Sequence, residues 1–189
     1  MICLVDIIWK IVVGGSGGVG KTTFLHRYLT TQFMDDTKMT VGVSFFSHKL
    51  VRQGDNINLI LWDLGGQDRF RFLLKPYIKG AVAAFLMFDL TRTTTLWELN
   101  EWLDIVREMT SDSIPVVLIG SKLDMIHPEK LSFVNEEAEN FMKEKGLMQY
   151  ITISSKSGEN VNEAMDNMVD LLLWQKSQGI LLETIAHGH

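Results

Sequence analysis

The sequence predicts an α/β fold with a six-stranded, mostly parallel sheet and helices on both of its faces. Apolar, β-rich runs alternate with longer segments of helical period, which is typical of βα units around a parallel sheet. A glycine-rich loop lies between the first apolar run and the first helical segment. The predicted strands are residues 7–13, 44–51, 57–63, 83–89, 116–120 and 150–153, and the predicted helices are residues 20–30, 69–78, 95–109, 135–145 and 161–175.

One turn is expected to break the parallel order. Asp55 and Asn56 lie between two alternating runs and are residue types of a hairpin turn, so we expect the second and third strands to pair antiparallel. The chain has no internal repeat and no low-complexity linker, which leaves no place for a second domain. We therefore predict one domain over residues 1–176 and a tail over residues 177–189.

The composition narrows the classes of function. The 189 residues are 46% hydrophobic, which suffices for one core, and the net charge of −5 argues against binding to the backbone of nucleic acid. Cys3 is the only cysteine, so no internal disulfide forms and no oxidising compartment is needed. We expect a cytoplasmic monomer.

Attachment to a membrane has no evident basis in the sequence. No apolar run reaches the roughly 18 to 20 residues that span a bilayer. Ile2 stands where myristoylation requires glycine, and no cysteine near His189 offers a site for prenylation. Peripheral contact through the first apolar residues, the tail or a partner stays open.

The strongest motif is a phosphate-binding loop after the first predicted strand. Its sequence, GSGGVGKT, matches G-x-x-x-x-G-K-[ST], and the expected roles follow from its chemistry. Glycines let the backbone N–H groups converge on phosphate oxygens, and the next helix adds the positive end of its dipole. Lys21 supplies charge to the β and γ phosphates, and Thr22 offers a hydroxyl to Mg²⁺. The phosphate site is assigned to Gly15, Gly17, Gly18, Val19, Gly20, Lys21, Thr22 and Thr23.

This motif and its context predict a P-loop NTPase. The alternative is a glycine-rich turn followed by a chance lysine, in which Lys21 is a solvated surface charge. That alternative does not explain why the motif stands between an apolar strand and an amphipathic helix.

A second motif follows the third predicted strand. Asp63 ends an apolar run and is expected to hold Mg²⁺ through a water, because Mg²⁺ keeps much of its hydration shell. Gly66 can present a bare N–H to the γ-phosphate, and the side chain of Gln67 can orient the attacking water. Read alone, the string is equally consistent with a strand and an ordinary Gly-Gly turn.

Thr40 lies in a polar loop between the first helix and the second strand. Its hydroxyl can reach Mg²⁺ only while a γ-phosphate holds that loop closed, which makes the loop a switch between order and disorder. Taken without its neighbours, Thr40 is a plain loop residue.

Together these segments resemble the Ras superfamily of small GTPases, and particularly its Rab branch. The resemblance is carried by the P-loop, residues 40–45 (TVGVSF), residues 61–70 (LWDLGGQDRF) and residues 88–91 (FDLT), and it covers about residues 7–175. The double glycine of Gly65 and Gly66 is more similar to the Arf branch.

The resemblance implies a guanine site. The family's Asn/Thr-Lys-x-Asp motif stands here as Ser121-Lys122-Leu123-Asp124, and the Asp124 carboxylate can accept both the ring N–H and the exocyclic amine of guanine. Lys122 is expected to lie along one face of the base and Phe33 near the other. The Ser154-Ser155-Lys156 loop is similar to the family's Ser-Ala-Lys loop, whose middle residue donates a backbone N–H to the guanine carbonyl.

Ser121 departs from the family pattern. It replaces the asparagine that in the family holds the purine edge and braces the P-loop. A hydroxyl is shorter and has fewer hydrogen-bonding groups than an amide, so we expect nucleotide affinity to be weaker by about 1 to 2 kcal/mol.

The implied activity is a slow GTPase that works as a molecular switch. Lys21 and Mg²⁺ neutralise charge while Gln67 positions water, and without an arginine placed in cis we expect about 10⁻⁴ to 10⁻² turnovers per second. Arg69 and Arg71 are interpreted as surface charges. Effectors of the GTP state, an exchange factor and a GTPase-activating protein are the implied partners.

Two other interpretations remain open from the residues. A guanine-nucleotide-binding scaffold with negligible hydrolysis has no need of Gln67. A P-loop kinase or ATPase has no need of Asp124 and normally carries a second-substrate site or lid.

Overall fold

The computed structural model describes residues 6–34, 40 and 42–181, with the backbone alone for residues 6 and 68–70. Six strands form one sheet in the order β2-β3-β1-β4-β5-β6, and the antiparallel pairing among them is that of β2 with β3. The predicted fold class is confirmed. The strands are β1 Asp6–Gly14, β2 Val43–Arg52, β3 Asp55–Leu64, β4 Ala83–Asp89, β5 Val116–Ser121 and β6 Gln149–Thr152.

Helices follow the strands, with bounds that differ in places from the prediction. The segment expected as a helix over 69–78 is a 3₁₀ helix followed by a short α-helix, and that expected over 95–109 divides at Glu98. The α-helices are α1 Lys21–Thr30, α2 Lys75–Ile78, α3 Thr94–Trp97, α4 Leu99–Met109, α5 Pro128–Lys145 and α6 Val161–Ser177, and the 3₁₀ helices are Asp68–Leu74 and Leu123–Met125.

Helix α5 begins seven residues before its predicted start. Pro128 stands in its first turn, where a missing N–H costs nothing and the fixed φ favours a helix. The first buried residue of α5 is Val134, because the preceding part of the helix faces solvent and shows no apolar period.

The hairpin turn lies two residues before its predicted position. Gln53 and Gly54 form it, with φ of 52° and 89°, and Asp55 is already paired with Arg52. Two residues with positive φ match the twist of the flanking strands, and Gly54 takes such an angle without strain.

The core lies on both faces of the sheet. On one face α1 and α6 pack over Trp9 and Phe85, and on the other α4 and α5 pack over Phe88. Strands β4 and β5 are buried along their whole length, which explains their unbroken apolar runs. β2 is an edge strand with alternating exposure.

The topology brings the functional loops to one edge. β1, β3, β4, β5 and β6 run parallel, so their carboxyl ends meet there, and the start of β2 joins them because Val43 pairs with Leu64. Ligand sites of such sheets lie outside this edge. None of the helices described is long and apolar enough to cross a membrane.

Candidate nucleotide-binding site

The loop between β1 and α1 adopts positive φ angles, which favour glycine, at Gly15, Gly18 and Gly20. Gly15 has φ of 140°, and a Cβ there would stand 2.2 Å from the carbonyl oxygen of Met87. Gly20, with φ of 95°, directly precedes α1, so the loop turns straight into the amino terminus of a ten-residue helix. Loop N–H groups and the helix dipole together favour an anion at this point.

Lys21 is folded into the loop. Its side-chain Nζ donates to the carbonyl oxygens of Gly15 and Ser16 at 2.7 and 3.0 Å, and the residue is 5% exposed. Burial is the main reason why the pKa of Lys21 falls to about 8, while Asp63 opposes that fall and Arg71 adds to it. The ammonium group is therefore short of negative partners, and phosphate oxygens would supply them.

Three oxygen ligands meet beside Lys21. Thr22 Oγ1 lies 2.5 Å from Asp63 Oδ2 and 2.7 Å from Thr40 Oγ1, and Thr40 Oγ1 lies 3.4 Å from Asp63 Oδ2. Burial raises the pKa of Asp63, against the opposing influence of Thr22, Lys21 and Thr40. Asp63 Oδ1 is buried and has no hydrogen-bond partner among the described residues.

This cluster fits Mg²⁺. Two hydroxyls and one carboxylate are the hard oxygen donors that Mg²⁺ prefers, and a cation would compensate the buried carboxylate and its unpartnered oxygen. The remainder of the first switch loop, residues 35–39 and 41, lies outside the described residues.

The loop after β3 lies directly against the phosphate loop. A Cβ on Gly66 would stand 2.5 Å from the backbone nitrogen of Gly17, so no larger residue fits without a shift. The N–H of Gly65 donates to the carbonyl of Gly42 at 2.8 Å, which ties this loop to the start of β2. Gln67 follows at once, with its side chain partly buried.

A cleft of about 440 Å³ opens beside the phosphate loop. Asp124 lines this cleft, and Ser154 Oγ donates to Asp124 Oδ1 at 2.7 Å and orients the carboxylate. The lining residues are Gly18, Val19, Gly20, Thr23, Phe33, Met34, Ser121, Lys122, Asp124, Met125, Ser155 and Lys156.

Ser121 joins this cleft to the phosphate loop. Its Oγ lies 2.6 Å from the carbonyl oxygen of Val19 and 2.8 Å from that of Phe88, and the residue is buried. A serine hydroxyl has one proton, so that proton is used inside the protein.

Comparison with known proteins agrees with this geometry. The sequence model of the Ras family matches residues 10–173. The chain belongs to the Ras family. It is 32% identical to the probable Ras-related protein Rab-4A of Echinococcus multilocularis over 176 residues, covering 93% of this chain and 78% of that protein. It is 37% identical to the Ras-related protein Rab-4B of Homo sapiens over 159 residues, covering 84% and 73%. It is 36% identical to the Ras-related protein Rab-4A of Bos taurus over 159 residues, covering 84% and 72%.

The resemblance inferred from the sequence is thereby confirmed, and the Rab branch is supported. This GTPase is a small GTP-binding switch that hydrolyses GTP. Proteins of the Ras family use GTP, GDP and Mg²⁺ in general, and they work with effectors, exchange factors and activating proteins.

The GTPase brings the residues singled out in its sequence to one edge of the sheet. Phe33 lies at the rim of the cleft and is 37% exposed, and Thr23 also lines the cleft. Ser154 is fully buried, so its side chain supports Asp124, while Ser155 and Lys156 line the cleft.

The interpretation of Arg71 as a surface charge was wrong. Arg71 is 5% exposed; its guanidinium pairs with Glu101 and lies 5.1 Å from the ring centroid of Trp102. The 3₁₀ helix turns this side chain towards α4, a contact that sequence spacing does not show. The side chain of Arg69 lies outside the described residues.

Three polar residues at the site were not identified from the sequence. Asp89 ends β4 and Arg92 follows it, and both contact the nucleotide loops. Arg27 on α1 donates to the carbonyl of Ser157 at 2.9 Å and so holds the loop after β6. An acidic residue that closes an otherwise apolar strand was the available signal for Asp89.

Proposed function

We propose that this GTPase holds the phosphates of GTP or GDP in the loop of residues 15–22 and reads guanine with Asp124. The observation that carries the proposal is the position of Asp124 in the same cleft as Gly18, Gly20 and Lys122. The hydrogen bond from Ser154 leaves Asp124 Oδ2 and the second lone pair of Oδ1 to accept from a base. Guanine offers two neighbouring N–H donors, whereas adenine offers the wrong polarity.

In the proposed hydrolysis the chain neutralises charge and positions water. Lys21 moves its ammonium from the Gly15 and Ser16 carbonyls to phosphate oxygens, and the side chain of Gln67 orients the attacking water. Thr22, Thr40 and Asp63 would hold Mg²⁺, which supplies further positive charge to the transferred phosphoryl group.

A change of base specificity tests the proposal. In Asp124→Asn, one acceptor becomes an amide donor, which matches the 2-carbonyl of xanthine and no longer matches the 2-amine of guanine. We expect GDP affinity to fall at least about a hundredfold while xanthosine diphosphate gains affinity. Glu129→Gln, which changes an exposed acid outside the cleft, is the control. An Asp124→Asn protein with unchanged GDP affinity would contradict the reading of guanine by Asp124.

The switch is proposed to act through Thr40 and Gly66. Thr40 precedes β2 and Gly66 follows β3, the two strands of one hairpin. Thr40 contacts Thr22 of the metal cluster, and Gly66 lies against the phosphate loop. Loss of the γ-phosphate removes their ligand and lets the two loops relax, so partners that bind the ordered loops discriminate GTP from GDP.

We propose that effectors bind an aromatic face next to these loops. Phe45 and Tyr77 are 66% and 44% exposed and flank Trp62, with ring centroids 5.4 and 5.9 Å from it. Phe45 projects from the exposed side of edge strand β2. Neighbouring aromatic rings that are exposed next to a switch offer the apolar contact that interfaces use.

Substitution of Phe45 tests this face. Phe45→Ala is expected to abolish capture of proteins that bind the chain loaded with a GTP analogue but not with GDP. Phe133→Ala removes an equally exposed phenyl ring, 63% exposed on α5, and should leave that capture unchanged. Equal capture by the two variants would place the effector contact elsewhere.

A cytoplasmic monomer with at most peripheral membrane contact completes the proposal. It rests on the single cysteine and on the balance of apolar and charged residues. Size-exclusion chromatography with light scattering and flotation with lipid vesicles, each with GDP and with a GTP analogue, test it.

A further inference from the structure

Asp89 is a fully buried carboxylate at the end of β4 that the proposed chemistry does not use. Its Oδ1 accepts from the N–H and the hydroxyl of Thr91 at 2.9 and 2.6 Å. Its Oδ2 accepts from Lys122 Nζ at 2.7 Å and from Arg92 Nε at 3.0 Å. A single buried anion thus holds two cations, one of which belongs to the base-reading motif.

Arg92 extends this contact to the phosphate loop. Its Nη2 donates to the carbonyl oxygen of Gly17 at 3.1 Å, while Nε stays on Asp89. The planar guanidinium group suits such a bridge because its donors have fixed relative directions. Gly17 is 75 positions away in the chain, so the contact is purely tertiary.

The segment that carries Arg92 is itself held in place. Thr95 Oγ1 donates to the carbonyl of Arg92 at 2.6 Å and accepts from the N–H of Asp89 at 2.9 Å. The N–H of Arg92 donates to the carbonyl of Asp89 at 2.9 Å. The arginine therefore projects from a closed turn whose backbone is already ordered.

The charge state of Asp89 agrees with strong hydrogen bonds to Lys122 and Arg92. Burial alone would raise the pKa of Asp89, but the hydrogen bonds from Lys122, Thr91 and Arg92 outweigh it and hold the pKa below its ordinary value. The carboxylate stays ionised at neutral pH, and loss of either cation would leave a buried charge poorly compensated.

We propose that Asp89 and Arg92, together called the clamp below, are positioning residues. They couple the base-reading loop to the phosphate loop and prolong nucleotide binding. The proposal rests on the base reading by Asp124 and Lys122 given above. Lys122 is fixed along the base by Asp89, and the same carboxylate orients Arg92 on Gly17. Ser121, with one hydroxyl proton for two carbonyls, makes a single strong tie between the loops, and Arg92 adds another.

The dissociation rates of fluorescent GDP and of fluorescent inosine diphosphate, which lacks the 2-amine, test the coupling. We expect Arg92→Ala to speed GDP dissociation about 3- to 10-fold, and Arg92→Lys to restore part of the loss. Arg107→Ala is the control, because Arg107 also donates to a backbone carbonyl, that of Lys145, far from the nucleotide loops. It should leave the rate within about 1.5-fold.

Coupling predicts a further result that a merely structural role does not. If the clamp links base contacts to phosphate contacts, Arg92→Ala should speed GDP more than inosine diphosphate, so the ratio of the two rates shrinks. Asp89→Asn should speed GDP dissociation more than Arg92→Ala does, and the double variant should be little faster than Asp89→Asn alone. Should Asp89→Asn fail to fold, Arg92→Ala carries the test alone, since the Arg92 side chain is 48% exposed.

Either of two results overturns the clamp. The first is a GDP dissociation rate that is the same in Arg92→Ala as in Arg107→Ala, and the second is an equal acceleration of GDP and inosine diphosphate dissociation by Arg92→Ala. A wild-type protein that releases GDP and inosine diphosphate equally fast overturns the reading of guanine instead. In that case GDP dissociation alone decides on the clamp.

Discussion

Binding of nucleotide should load a proton onto Lys21 at alkaline pH. Burial holds the pKa of Lys21 near 8 in the free loop, against an ordinary value of 10.5. Phosphate oxygens would restore the ordinary value. At pH 9 the free lysine is about 10% protonated and the bound one almost fully, so binding of GDP takes up about 0.9 proton, compared with about 0.1 at pH 7. The affinity should fall about tenfold between these pH values.

Calorimetric titration in buffers of different ionisation enthalpy measures this uptake. Lys21→Arg keeps the cation and cannot lose its proton in this range, so its difference from wild type isolates Lys21. Proton uptake in wild type that is the same at pH 7 and pH 9 would refute the reasoning. The lowered pKa of Lys21 also makes stability depend on pH. Between about pH 8 and 10.5 the unfolded chain binds more protons than the folded one. The free energy of unfolding of the nucleotide-free protein therefore rises by at most about 3 kcal/mol as pH increases through that window.

The remaining predictions concern single side chains of the site and of the switch. Ser121→Asn should slow GDP dissociation about 5- to 30-fold, and an unchanged dissociation rate would contradict this. Wild type should bind 7-deaza-GDP with an affinity within about 3-fold of that for GDP, because the Ser121 proton is already donated inside the protein. Gln67→Leu should lower single-turnover GTP hydrolysis at least about tenfold with GTP affinity unchanged, and unaltered hydrolysis would favour another group as the one that positions water. Gly66→Ala places a Cβ 2.5 Å from the backbone of the phosphate loop, so the affinity for a GTP analogue should fall at least about tenfold relative to GDP; an unchanged ratio of the two affinities argues against contact of this loop with the γ-phosphate. Arg71→Ala should lower the free energy of unfolding in urea by about 2 kcal/mol, because Arg71 is buried against Glu101, whereas Lys75→Ala, from an exposed ion pair, should change it by less than about 1 kcal/mol.

Local patterns sufficed for most of the architecture. The alternation of apolar runs and helical periods predicted all six strands to within two residues at each end, because both signals depend on residues close in sequence. The phosphate loop was equally accessible, since its glycines and Lys21 stand within eight consecutive positions.

Element ends were less predictable where exposure hides the period. The solvated first turns of α5 show no apolar stripe, and the Gln53–Gly54 turn has a residue type at its first position that sequence rules do not favour. The division of the predicted helix 95–109 at Glu98 likewise has no breaker residue to announce it.

Short sequence motifs thus predicted the chemical groups of the nucleotide site, whereas the contacts among those motifs depended on the folded chain. The charge on Arg71 looked solvated until Glu101 and Trp102, 30 and 31 positions later, were found around it. The roles of Asp89 and Arg92 depend on the aligned ends of β1, β4 and β5, which bring Lys122 to the Asp89 carboxylate and the carbonyl of Gly17 to the Arg92 guanidinium. A sequence motif specifies which groups are present, but hydrogen bonds and burial depend on distances that only the packed sheet sets.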